Sequence, residues 1–345
     1  MNRQWTAALL LALATLGGSR ELAAQNIQVG IIDFYGLHHV SETEARRALA
    51  VKEGDTISVT DDARPAFMAQ SEHQLSRLSG VVGARVNLVC CDRGRGIIYV
   101  GVEEKGGAAH HFRKAPRGDA RLAADIVDAG KEFDRALTPA ARRGDAEDHS
   151  QGHALLQDPS ARAVQERFIG FAARDLKQLR NVLRRSSDSE HRALAAQVLG
   201  YAADKQAVVD DLVYAMSDSA EGVRNNAMRA LGVFVSGESS VSKKRIVIPP
   251  EPFVSLLNSV AWTDKNKASL ALMKLSERRD PQLLQKLQKE AIVPLVEMAR
   301  WKSEGHAWPA FLILGRIASQ SDDAIQAAWS HGQREVVINA AVNHR

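Results

Sequence analysis

Hydrophobic residues are distributed along the chain in three successive patterns. The first is a mainly apolar run of twelve residues, Trp5 to Leu16 (WTAALLLALATL), preceded by Arg3 and followed by Gly17, Gly18 and Ser19. Such a run is too short for a bilayer core about 30 Å thick, which needs roughly 20 apolar residues. A basic start, a short apolar stretch and the small residues Ala23 and Ala24 form the layout of a cleavable secretory signal over residues 1–24. No later stretch is long and apolar enough to span a membrane. The expected mature chain is therefore soluble, has no transmembrane span, and is periplasmic or secreted, with peripheral attachment to the envelope left open; an uncleaved anchor is the lesser alternative, because Arg20 and Glu21 put charge into the cleavage region.

The second pattern has period two. Ile27 to Phe34 is rich in β-branched residues and predicts a strand. Ser41-Glu42-Thr43-Glu44 is a capping box that starts a short helix. A second helix is expected from about Asp62 to Leu78, with Pro65 in its first turn. From Val82 to Cys91, Ala84, Val86, Leu88 and Cys90 alternate with Arg85, Asn87 and Val89. A glycine-bearing turn at Asp92 to Gly96 leads into a further strand, Ile97 to Val102.

The order strand, helix, helix, strand, strand over residues 27–105, with VSETEARRAL, KEGD and IIYVGVEEK at their places in it, resembles a POTRA domain. The resemblance implies a three-stranded sheet with two helices on one face and the strand Val82 to Val89 at an edge. An edge strand offers unpaired amides and carbonyls to a partner strand, so Arg85, Asn87 and Val89 are candidate partner contacts. No alternating ten-residue strands follow, which sets the chain apart from relatives that end in a membrane barrel.

Gly106-Gly107-Ala108-Ala109 marks a boundary, and residues 106–160 are read as a linker carrying one helix, Asp119 to Leu137. Arg142 to Gln151 is polar and loop-like. Asp145, His149 and His153 are the candidate metal ligands, since the two histidines would share a face if helical. Gly152 weakens such a helix and no HExxH arrangement is present, so the expectation is a solvated loop without metal.

The third pattern, over 161–345, is helical. A helix is expected from Ala161 to Arg185. After it, Arg192 to Gly200 (RALAAQVLG) aligns at an offset of 32 with Arg224 to Gly232 (RNNAMRALG), each after a Ser/Asp turn. Asp264 to Leu275 and Ile313 to Ile317 echo the motif. The turn aspartate, the arginines Arg192 and Arg224, the alanines Ala195 and Ala227 and the Leu-Gly pair resemble HEAT repeats, over about 175–321. That resemblance implies stacked helix pairs that bind proteins along a groove, with Arg192 and Arg224 as candidate contacts. The fold class expected is thus an α+β N-terminal module followed by an all-α solenoid, predominantly α overall.

Composition narrows the functions. Hydrophobic residues at 45% and charged residues at 25% suit a packed globular chain and exclude bulk disorder. The net charge of +4 comes from bases interleaved with acids, without the polybasic run that nucleic acid would favour. The only cysteines, Cys90 and Cys91, are adjacent on an expected strand, where side chains point to opposite faces and a mutual disulfide is not expected. No G-x-S-x-G, P-loop or G-x-G-x-x-G occurs. The reading is a non-enzymatic scaffold for protein partners in the bacterial cell envelope, without catalytic residues or cofactors. A metal-dependent or lyase-type enzyme on a helical-repeat frame and a structural envelope protein are the alternatives.

Overall fold

The computed structural model describes residues 25–59, 64–237 and 246–344. The signal expected over 1–24 and the start of the second helix at Asp62 lie outside the described residues. The described chain forms two compact units. One contains residues up to 110 together with those from 253 onward, and the other contains residues 111–252.

The first unit begins with β1 (Gln25–Tyr35), α1 (Glu42–Arg47), β2 (Thr56–Val59), α2 (Ala66–Leu75), β3 (Val81–Asp92) and β4 (Arg95–Glu104). Ser41 caps α1 by accepting from the Glu44 amide at 3.2 Å, as the capping box requires. The sheet has the order β2-β1-β4-β3, with β1 and β4 parallel and the other two pairs antiparallel. The short β2 adds a strand to the expected three. Its residues Thr56-Ile57-Ser58-Val59 alternate polar and apolar with matching burial, a period-two signal at the short limit of a strand. One sheet face holds Val29, Ile32, Val86, Ile98 and Val100, packed with Ala45 of α1 and Met68 and Leu75 of α2. Cys90 and Cys91 are joined as a disulfide, contrary to expectation, where the β3–β4 register shifts between Val89 and Asp92.

The second unit contains α3 (Ala124–Arg143), the two-residue strands β5 (Glu147–Asp148) and β6 (Leu155–Leu156), and α4 (Pro159–Arg174), α5 (Leu176–Arg185), α6 (Ser189–Leu199), α7 (Gln206–Ala215) and α8 (Glu221–Gly237). Helix α3 packs on α4, α5 on α6 and α7 on α8, while α6 also packs on α8. The single helix expected over 161–185 is broken at Asp175, whose ψ of 19° leaves the helical region. The break frees α5 to serve as the first helix of a pair.

The first unit is completed by α9 (Glu251–Leu256), α10 (Trp262–Leu275), α11 (Pro281–Ala299), α12 (Glu304–Ile317), α13 (Asp322–Ser330) and α14 (Arg334–Val342). These helices were expected to extend one array from 161 to 345. Instead they group with the sheet and cover its other face. The Tyr35 hydroxyl donates to the Val260 carbonyl at 2.7 Å. The Tyr99 ring stacks on Trp262 at 5.3 Å and meets Trp301 at 4.8 Å, while its hydroxyl lies 2.8 Å from His306 Nδ1. Gly101 fits here because a Cβ would stand 2.2 Å from the Val260 carbonyl oxygen. With both faces covered, Ile97 to Val102 of β4 is buried without interruption.

Candidate functional site

The helix pairs are organised from their turns. Asp188 caps α6 by accepting from the Glu190 amide at 2.9 Å. Arg192, on the first turn of α6, reaches back to the Ser186 and Ser187 carbonyls at 2.9 and 3.1 Å. One repeat later, Arg224 reaches back to the Asp218 and Ser219 carbonyls at 2.8 and 3.1 Å. Arg192 also grips the next turn, donating through Nε and Nη2 to both oxygens of Asp218 at 2.9 Å. Burial pushes the Asp218 carboxyl up. The hydrogen bonds from Arg192 and the Ala220 amide, with the charges of Arg192 and Arg113, outweigh it and hold the group below its ordinary value. Arg192 and Arg224 are only 1% and 3% exposed. They are joints of the array, not the surface contacts expected of them, because a guanidinium satisfied by turn carbonyls has little left to offer a partner.

The turns carry a strap from the chain itself. Arg113 donates its amide to the Ser217 carbonyl at 2.8 Å and its guanidinium to Asp218 at 2.6 Å. Phe112 lies under the Arg224 guanidinium at 3.8 Å, and Arg113 lies over the Tyr214 ring at 3.9 Å. Further on, Ser187 donates to the Gly118 carbonyl at 2.7 Å. The outer face of α5 and α7 is charged. Arg180 and Arg184 both donate to Asp211, at 2.7 and 2.8 Å, and Arg184 also covers Tyr214 at 4.4 Å. Lys114, Arg117, Lys177 and Arg185 are exposed around it.

The sheet edge is less open than expected. The Val86 amide donates to Glu72 at 2.7 Å and its carbonyl accepts from Arg64 at 2.8 Å, so an ion pair from the α2 side occupies the middle of β3. Arg85 is 3.9 Å from the same Glu72. Asn87 accepts from the Trp262 amide at 3.2 Å, and Val89 is 7% exposed. Both belong to the face that the later helices cover, which removes them as partner contacts.

The metal candidates are not brought together. Asp145 accepts from Arg143 at 2.9 Å. His149 lies 3.0 Å from Glu147, which is also paired with Arg229. His153 accepts from Lys205 at 2.9 Å and stacks on Tyr201. Desolvation and the Lys205 charge lower the His153 pKa to about 4. Among the described residues no group of three or more potential ligands could hold a metal. The segment is a β5–β6 hairpin pinned by charge pairs rather than the expected solvated loop.

One feature escaped sequence reasoning. Lys265 of α10 and Glu297 of α11 border a cleft in the first unit. The surrounding run, Thr263 to Lys267, is strongly polar yet buried, and no local signal marks such burial.

An α+β module joined to turn-linked helix pairs is the class of protein that this architecture defines. Residues 176–243, spanning α5 to α8, match the family of HEAT repeats. No curated protein matches the chain.

Proposed function

We propose that the protein is a non-enzymatic scaffold of the bacterial cell envelope that binds protein partners on its helix pairs. The HEAT match over α5 to α8 is the observation that carries this reading. Arrays of this kind work by presenting an extended surface held by nearest-neighbour joints, and the Arg192–Asp218 joint is one. Because the strap occupies the turns, the reading places the contact on the charged outer face of α5 and α7. The signal-like run Trp5 to Leu16 supports export. No described helix is long and apolar enough to cross a membrane. The strand order, with β3 at an edge beside β4, supports the likeness to POTRA domains. The Glu72–Arg64 plug argues against using that edge as the main contact.

Cross-linking in the native envelope tests the reading. The same partner proteins should be recovered reproducibly, and should disappear with Lys177→Glu/Arg185→Glu, two exposed changes that leave the core untouched. Recovery unchanged by that variant would reject the assignment to this face, and turnover of a small substrate by the purified chain would reject the non-enzymatic reading.

A further inference from the structure

The cleft beside Lys265 has a volume of about 510 Å³, within the size range of small-ligand sites. Val260, Ile292 and Val293 give it an apolar wall, with Val293 56% exposed. Lys265 is only 3% exposed. An ammonium has three donors. One goes to the Leu257 carbonyl. The nearest carboxylate oxygen, Glu297 Oε2, is 3.9 Å away, outside hydrogen-bond reach. Glu297 is held there because its other oxygen accepts the Gly36 amide at 3.1 Å. The Tyr35 ring, 4.9 Å from Nζ, offers a π face and no lone pair. Two donors of a buried cation thus lack an acceptor among the described residues, a costly arrangement that an incoming anion would relieve.

We propose that this cleft binds a carboxylate carried on an apolar body, with a carboxylate oxygen accepting from Lys265 and the body lying against Ile292 and Val293. The charge of Glu297 beside the ammonium favours a monoanion and repels a dianion such as phosphate. Two sources share this chemistry, the C-terminal end of a peptide and a free aliphatic acid. The site lies in a different unit from the helix pairs and does not rest on the scaffold reading. A chain that binds carboxylates but captures no partner, or the reverse, separates the two.

Isothermal titration calorimetry on the full chain tests it with three probes: N-acetyl-Leu-Leu with a free carboxylate, its C-terminal amide, and hexanoate. The acid should bind at least about tenfold more tightly than the amide, a difference near 1.4 kcal/mol. Lys265→Met should bring the acid to the level of the amide. Val293→Asp, at the exposed wall, removes an apolar contact from both peptides and adds repulsion for the acid only, so it should weaken the acid more than the amide, and it serves should the buried substitution fail to fold. Hexanoate binding as well as the peptide points to free acids, and peptide binding alone points to a chain terminus. Equal binding of acid and amide, unchanged binding in both variants, or no binding of either carboxylate up to about 10 mM overturns the proposal.

Discussion

Arg192 and Asp218 stand 26 positions apart, yet they meet in a buried bidentate pair at 2.9 Å that joins one helix pair to the next. Removing the arginine leaves Asp218 with Arg113 and the Ala220 amide as its remaining partners. Arg192→Met is expected to destabilise the 111–252 unit by up to about 3 kcal/mol, the low end of the range for breaking a buried pair, because Arg113 still compensates the Asp218 charge. Asp218→Leu combined with it should cost less than the sum of the two single changes. Urea unfolding of the three variants checks this.

Gly101 sets how closely the sheet meets its covering helices. Gly101→Ala drives a Cβ into the Val260 carbonyl and the Tyr35 ring. Overpacking of this kind costs about 1–3 kcal/mol, and the near-ultraviolet dichroism of Trp262 and Trp301 should fall. Gly170→Ala meets nothing within 4 Å on an exposed helix surface. It should instead stabilise the chain by about 0.5–1 kcal/mol, which makes it the control.

Glu147 gives the hairpin a defined acid response. Burial alone would raise its pKa, but the Arg229 charge and the hydrogen bond with His149 lower it from 4.5 to about 2. The folded value lies below the unfolded one, so the contribution is full above pH 4.5 and is lost as pH falls toward 2. It amounts to about 3 kcal/mol at most. Glu147→Gln should therefore be less stable than the natural chain at pH 7, and the gap in melting temperature should close between pH 4.5 and 2.

Glu72 and Arg64 close the middle of the β3 edge. Glu72→Ala should free the Val86 amide and leave Arg64 without its carboxylate, exposing a strand edge to other chains. Sedimentation should show more concentration-dependent association in the variant than in the natural protein. Equal association in both would mean that the ion pair does not guard the edge.

Much of the local structure was legible in the sequence. Ser41 and Glu44 marked the start of α1, and the motif recurring from Arg192 to Arg224 located α6 and α8. These signals act between residues a few positions apart, through caps, turns and one-sided apolar spacing, so neighbours along the chain suffice to set them. The apolar run Ile97 to Val102 carried a further clue, since a strand apolar on both faces needs two covers, but nothing in it named the second.

Only the tertiary structure decided what the second cover is. Tyr35 meets Val260 and Tyr99 meets Trp262 across long separations in the chain, and that choice turned Asn87 and Val89 from candidate contacts into interior positions. The same holds for Arg192 and Arg224, which read as surface charges until the turns and the strap of Phe112 and Arg113 closed over them. Lys265 is buried beside a cleft, and nothing near it in the chain signals that burial. A side chain's charge and size are written locally. Its exposure depends on which distant surface packs against it, and packing between distant surfaces leaves no periodic trace in the sequence.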